Sequence, residues 1–264
     1  MPTWTGQGDL RFAIHAAQDE FPRVVLTPGD QFEAFALTKK AFVLAEKYQL
    51  PVIILVDKYL CESHKSGLPF TTQHQNQRYG FVSDPIPPGF EHYALSDSGV
   101  SPRPYLGQSG GAGLIANSYE HGSQGFASED PGERQKMNQK RMRKFEALIS
   151  DLWPLPMFGN RQAPTTLLGF GSSLGPVLEA LKQLPEVNYL HFNYVWPFPS
   201  AQVKETLGKA KRIICLEENA LGQLQGLVRE YTGIEIKESL RKYDGRPFYP
   251  EEIIAFLGKE KRNF

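Results

Sequence analysis

Two cysteines in 264 residues, Cys61 and Cys215, lie far apart and form no Cys-x-x-Cys pair. The chain therefore cannot hold an iron–sulfur cluster or a structural zinc on cysteines alone. Both thiols read as reduced and partly buried. Net charge is missing as well, because 29 Lys plus Arg balance 29 Asp plus Glu. That balance leaves no global electrostatic footprint for nucleic acid or an anionic membrane. The longest aliphatic stretch, Val52 to Val56, is far short of the about 20 residues a membrane helix needs. The start Met1-Pro2-Thr3-Trp4-Thr5 has neither the basic nor the apolar region of a signal peptide, so a soluble cytoplasmic protein is expected. No serine nucleophile elbow appears. The 6 histidines are dispersed, and His121 beside the carboxylate Glu120 offers too few ligands for a metal site.

What is present is ordinary globular material, 41% hydrophobic and 22% charged. Length allows one large domain or two modest ones. Gly8-Asp9 precedes an apolar stripe of Leu10, Ala13, Ile14 and Ala17, which predicts a helix ended by Phe21-Pro22. Arg23 to Leu26 reads as a strand closed by Pro28-Gly29. Asp30 with Glu33 is a capping-box-like helix start. The helix that follows carries Ala34, Phe35, Leu37, Ala41, Phe42, Leu44 and Ala45, a stripe wide enough to predict thorough burial. Val52 to Val56 shows no alternation, as in a parallel strand covered on both faces, with Asp57 at its carboxyl end.

Residues 64–127 have no lasting period and read as an extended connector held down by Phe81, Phe90, Tyr93 and Tyr105. Ser128-Glu129-Asp130-Pro131 opens a helix over 132–152. Its apolar side is expected to bury Met137, the Arg141 stem, Phe145, Leu148, Ile149 and Leu152. Arg134, Lys136, Lys140, Arg143 and Lys144 are expected on a solvated or subunit-facing surface.

From Thr165 onward, strands and helices alternate with short links, which predicts a small parallel sheet. The strands expected are Thr165 to Gly171, Tyr189 to Tyr194, Arg212 to Leu216 and Ile234 to Ile236. Helices are expected at Leu174 to Leu184, Ser200 to Leu207, Gln223 to Tyr231 and from Pro250 on. Gly169 to Gly175 sits between strand and helix, where phosphates bind. Its glycine spacing is one residue too long for the dinucleotide pattern, and Asn193-Tyr194 replaces the ribose-binding acid. A tight turn that binds nothing is the expectation. Glu217-Glu218-Asn219 ends a strand at the carboxyl edge, and two readings stay open: an acid–base pair, or caps for the next helix or a subunit contact.

Ordered words spread along the chain carry a family resemblance. They are Pro2-Thr3-Trp4-Thr5-Gly6-Gln7-Gly8-Asp9-Leu10, Gly29-Asp30, Leu44 to Gln49, Pro51 to Leu55 and Asp57 to Leu60. Further on come Asn117 to His121, Glu129-Asp130-Pro131, Lys140 to Lys144, Glu217-Glu218-Asn219, Gly222-Gln223-Leu224 and Tyr243 to Phe248. Together they resemble the alpha subunit of 2-oxoacid:ferredoxin oxidoreductases, nearest the 2-oxoglutarate type. The fold this implies is α/β: a remnant of a thiamine-diphosphate pyrimidine-type domain over 1–63, an irregular connector with a basic helix over 64–160, and a transketolase-C-like parallel domain over 161–264.

The activity implied is coenzyme A-acylating oxidative decarboxylation of a 2-oxoacid. Thiamine diphosphate with magnesium would be shared with a beta subunit, which carries the diphosphate site and the iron–sulfur cluster and passes electrons to ferredoxin. The family's Tyr-Pro-Ile-Thr-Pro segment, its pyrimidine-facing glutamate and its Arg-Gly-Gly segment are not in this chain. The resemblance therefore places the catalytic residues upstream of Met1 and makes the chain a truncated or split product, inactive alone. Thr5, Gln7 and Asp9 are the expected cofactor-side residues, with capping of the helix at Leu10 as their other reading. The alternative for the whole chain is a non-catalytic assembly or docking module of such a complex.

Overall fold

The computed structural model describes residues 4–70, 78–105, 107–110, 115–117 and 119–258. Met1, Pro2 and Thr3 of the opening word, and Ser118 of the Asn117 to His121 word, lie outside the described residues. Helix α1 (Leu10–Ile14) buries Leu10, Ala13 and Ile14. It stops a turn earlier than its stripe predicts, because Ala17 and Asp19 take left-handed φ values of 68° and 70°. Strand β1 (Val24–Leu26) is fully buried. Helix α2 (Gln31–Tyr48) starts as read: the Asp30 carboxylate accepts from Glu33 N at 2.8 Å, and Glu33 accepts from Gly29 N at 2.8 Å. Strand β2 (Val52–Ile54) pairs parallel with β1, and helix α3 (Lys58–Glu62), capped by Asp57, was not anticipated.

The connector forms only isolated bridges, Phe81 to Arg103 and His121 to Ala127, among the described residues. Helix α4 (Pro131–Asp151) has the expected start, with Asp130 accepting from Glu133 N. Its surface is a correction. Lys140 and Lys144 are buried, not solvated. Lys140 Nζ donates to Tyr93 O at 2.8 Å, Arg143 Nη2 to Ser96 O at 2.8 Å and Lys144 Nζ to Gln49 O at 2.9 Å. The cationic face thus grips backbone carbonyls of the connector and of the α2 end, whereas Ile149, expected inside, is exposed. Glu120 is the acidic partner here. It pairs with Arg141 and Arg134 at 2.8 Å, and the Arg141 hydrogen bonds in particular hold its carboxyl down at about 2.

The second unit is built on strands β3 (Met157–Gly159), β4 (Thr165–Phe170), β5 (Val187–Phe192), β7 (Arg212–Glu217) and β8 (Glu238–Arg241), in spatial order β3-β5-β4-β7-β8. Four are parallel, and β3 adds an unexpected antiparallel edge. The Ile234 to Ile236 strand is displaced to β8, since the segment after Gly233 packs Ile236 inward before pairing begins. Alternation sorts the sheet's side chains. Leu168, Phe170, Phe192 and Cys215 face helices α6 (Ser200–Lys209) and α7 (Gln223–Thr232). Leu167, Tyr189, Ile214 and Leu216 face α5 (Leu174–Leu181) and α8 (Pro250–Gly258).

Between β5 and α6 the chain changes sheets. The expected Tyr189 to Tyr194 strand breaks at Asn193, and β6 (Tyr194–Trp196) pairs antiparallel with β1, giving a second sheet β2-β1-β6. One core cluster consequently runs from Leu10, Val25 and Leu44 through Phe192 and Val195 to Leu227. Each such fully buried side chain contributes about 1.5–3 kcal/mol. The cysteines part company, Cys61 exposed and Cys215 buried. Among the described residues no helix is long and apolar enough to cross a membrane.

Candidate functional site

The carboxyl ends of β2, β4 and β7 converge on the loop carrying Thr5 to Asp9, and Gln7 is the centre of the junction. Its side chain is only 4% exposed. Gln7 Nε2 donates to Phe170 O at 2.9 Å, and Gln7 Oε1 accepts from Glu218 N at 3.0 Å. The backbone repeats the link, with Gln7 N donating to Glu218 O at 2.8 Å. One amide side chain thus ties the opening loop to two strands more than 160 positions away.

Two buried carboxyl groups flank it. Asp57, at the end of the segment following β2, accepts from Leu60 N at 3.0 Å and from Ser172 N at 3.0 Å, with Gln7 Nε2 at 3.5 Å. Glu218, 3% exposed, accepts from Phe248 N at 3.3 Å through one oxygen and leaves the other without a partner. Burial first, and then the nearby Asp57 charge, push the Glu218 carboxyl up to about 8. At neutral pH it holds a proton, which makes it a hydrogen-bond donor inside the fold.

The same geometry settles the two sequence motifs. In the Gly169 to Gly175 turn, Asp57 accepts from the Ser172 amide at 3.0 Å, so that N–H has a partner within the fold. Gly171 is needed there: its φ is 59°, and a Cβ would lie 2.9 Å from Gln7 Nε2 and 3.0 Å from Asp57 Oδ2. In Glu217-Glu218-Asn219 the roles divide. Glu217 accepts from Leu224 N at 2.7 Å and Gln225 N at 3.0 Å, capping α7, and Asn219 accepts from Gly222 N at 2.8 Å. Only Glu218 keeps a free acidic function.

Thr5 Oγ1 accepts from Tyr59 N at 3.2 Å. Asp9 is exposed and makes no side-chain cap to α1, so the capping reading fails for it. The enclosed space beside Gln7, Asp9 and Asp57 measures about 20 Å³ and has no lysine or arginine in its lining. That is room for one water. Among the described residues, no group of three or more His, Cys, Asp and Glu side chains is placed to hold a metal. A diphosphate needs cationic or metal neutralisation. These residues therefore do not by themselves fit thiamine diphosphate.

Sequence reasoning missed a second polar bridge between the units. His191 Nε2 lies 3.0 Å from Glu33 Oε2 and its Nδ1 3.0 Å from Tyr189 Oη, which in turn meets Ser173 Oγ at 3.2 Å. Burial alone would raise the Glu33 carboxyl, but the His191 hydrogen bond and charge and the Gly29 amide bring it below its ordinary value. The only sequence signal was Glu33 itself, read as a cap.

Residues 1–140 match the family model described as pyruvate flavodoxin/ferredoxin oxidoreductase, thiamine diphosphate-binding. The chain belongs to this family. It is 36% identical, over 96% of its length, to 2-oxoacid:ferredoxin oxidoreductase 2, subunit alpha, from Aeropyrum pernix, and covers 40% of that protein. It is 25% identical, over 99% of its length, to 2-oxoglutarate synthase subunit KorA of Methanothermobacter thermautotrophicus, covering 70% of it. Among solved structures, the 2-oxoglutarate:ferredoxin oxidoreductase of Magnetococcus marinus, with 2-oxoglutarate, coenzyme A and succinyl-CoA bound, superposes with a TM-score of 0.86 at 28% identity. That superposition covers 98% of this chain and 46% of the other, so the chain spans less than half the length of the Magnetococcus marinus and Aeropyrum pernix chains. The resemblance read in the sequence and its α/β fold are borne out.

Proposed function

We propose that this chain is the alpha-subunit part of a 2-oxoacid:ferredoxin oxidoreductase that oxidatively decarboxylates 2-oxoglutarate and delivers the acyl group to coenzyme A. The observation carrying this reading is the superposition on the Magnetococcus marinus enzyme over 98% of the chain, supported by 36% identity to an alpha subunit. On this reading, residues 1–63 belong to the pyrimidine-type cofactor domain, 64–160 to the connector and 161–264 to the transketolase-C-like domain. A beta subunit supplies the diphosphate–magnesium site and the iron–sulfur cluster, and ferredoxin takes the electrons.

The contribution of this chain is a wall. Gln7 fixes the opening loop against β4 and β7, and Thr5 and Asp9 of that loop are the residues that would face the cofactor. Glu218, protonated at neutral pH, lies behind that wall as a local acid. The occupied state of Gln7 favours the second reading, a non-catalytic docking module, at that one position.

Reconstitution separates the two. The chain mixed with the beta subunit and with a polypeptide carrying the family's Tyr-Pro-Ile-Thr-Pro and Arg-Gly-Gly segments is expected to reduce ferredoxin in a 2-oxoglutarate- and coenzyme A-dependent way. Complex formation without turnover would favour the docking module. Turnover with pyruvate but not 2-oxoglutarate would remove the substrate assignment.

A further inference from the structure

The polar bridge that starts at Glu33 and His191 continues beyond Ser173. Ser173 Oγ donates to Phe170 O at 2.8 Å, and the same carbonyl oxygen accepts from Gln7 Nε2 at 2.9 Å. One chain of hydrogen bonds therefore runs from the first turn of α2, through β5, to the opening loop. Its inner members, His191, Tyr189 and Ser173, are fully buried, so bulk solvent does not stand in for a missing partner. The path is kept open at Gly169, where a Cβ would lie 2.9 Å from Tyr189 Oη and 3.1 Å from Ser173 Oγ.

Each donor in the chain is fixed by the acceptor that follows it. A carbonyl oxygen only accepts, so Ser173 gives its hydrogen to Phe170 O and accepts from Tyr189 Oη, 3.2 Å away. Tyr189, its own hydrogen given to Ser173, accepts from His191 Nδ1 at 3.0 Å. On the other side of the ring His191 Nε2 meets Glu33 Oε2 at 3.0 Å, and a carboxylate also only accepts. Both ring nitrogens therefore donate, and His191 stands against Glu33 as an imidazolium. The second Glu33 oxygen accepts from Asn193 Nδ2 at 3.2 Å. From α2 the Lys40 ammonium also acts on Glu33, and from β7 the Cys215 thiol acts on Tyr189. A ring holding its proton on Nε2 alone would turn the chain round, with Tyr189 donating to Nδ1 and Ser173 to Tyr189. Ser173 Oγ and Phe170 O would then be two acceptors 2.8 Å apart, and their repulsion would displace the carbonyl that Gln7 holds.

We infer that His191 is a positioning residue for the opening loop: clamped by Glu33 across the two units, it sets the direction of the chain through Tyr189 and Ser173 that ends on Phe170 O and Gln7. The inference rests on the reading of that loop as the cofactor side only for its effect on the reaction. The charge of the ring and its coupling to Gln7 belong to the chain alone.

Two measurements on the full chain and one on the assembly test it. Nitrogen NMR of the imidazole rings should show His191 with both nitrogens protonated at neutral pH, and Glu33→Gln should leave it with one. Glu33→Gln and Tyr189→Phe should each speed hydrogen exchange at the Gln7 amide about three- to tenfold, the worth of one hydrogen bond. Thr27→Val breaks another buried hydrogen bond between the same units, Thr27 Oγ1 to Phe192 O at 2.7 Å, and should leave that exchange unchanged. In the assembly with the beta subunit and the polypeptide carrying the missing segments, both chain variants should raise the 2-oxoglutarate KM by a similar factor, with kcat within about twofold. A singly protonated His191 in the wild type would overturn the inference and leave the family reading standing. So would wild-type exchange in both chain variants, an equal effect of Thr27→Val, or an unmoved KM in a working assembly. A wild-type assembly with no turnover would remove the effect on the reaction together with the reading beneath it.

Discussion

Replacing Glu218 by Gln should make the protein more stable in base and leave it unchanged in acid. Glu218 is 3% exposed, with one oxygen unpartnered and its carboxyl pushed up to about 8 by burial and by Asp57, from an ordinary 4.5. The folded state therefore holds a proton that the unfolded chain releases above pH 4.5. Between pH 4.5 and about 8 the folded chain binds more protons than the unfolded one, so stability falls as pH rises. Each pH unit of that window is worth about 1.4 kcal/mol, a ceiling of about 5 kcal/mol. Water reaching the site on local opening brings the expected difference to about 2–3 kcal/mol. Glutamine keeps the acceptor for Phe248 N and mimics the protonated acid, so it avoids this cost. Urea denaturation of both chains at pH 5, 7 and 9 is the assay. Glu218→Gln should match wild type at pH 5 and exceed it by about 2–3 kcal/mol at pH 9. An equal difference at all three pH values would refute the reasoning, and so would a wild type that is the more stable at pH 9.

Two further perturbations probe the joints of the fold. Gln7→Ala strands Phe170 O and Glu218 N in a buried place, and should lower stability by about 2 kcal/mol by the same denaturation assay. Gln7→Glu should cost at least as much at pH 8, because it sets a third carboxylate beside Asp57 and Glu218. Lys144 is held at about 8 chiefly by burial, against an ordinary 10.5. Its ammonium destabilises the fold below pH 8, and wild-type stability should rise between pH 8 and 10.5, where the unfolded chain binds the extra proton. Lys144→Met should gain about 1 kcal/mol at pH 7 and lose that advantage by pH 10.5, read by thermal melts at the two pH values.

Local chemistry was the most legible part of this sequence. Asp30 with Glu33 and Asp130 with Pro131 could be read because each cap acts within one turn of its own helix. Strands β4 and β7 form within one residue of where they were expected. Sheet membership was less accessible. Tyr194 to Trp196 continues the β5 pattern, and only the pairing with Val25 and Leu26 shows that it belongs to another sheet. Lys140 and Lys144 were misread for a related reason. Helical periodicity sets them eight and four positions before Leu148, on its own face, but their charge argued for solvent, and the carbonyls of Tyr93 and Gln49 that they grip come from 47 and 95 positions away. Gln7 was singled out through the family resemblance as a cofactor-side residue, whereas its tie to Phe170 and Glu218 joins positions too distant for any local pattern to show.

The central claim is that this chain builds one wall of a cofactor site completed by a second subunit. Titrating thiamine diphosphate and magnesium into the chain, into the beta subunit and into their mixture tests it most directly. Tight binding in the mixture, with none to the chain alone and weaker binding to the beta subunit alone, is the result predicted. Equal affinity of the beta subunit with and without this chain, or tight binding by the isolated chain, would contradict it.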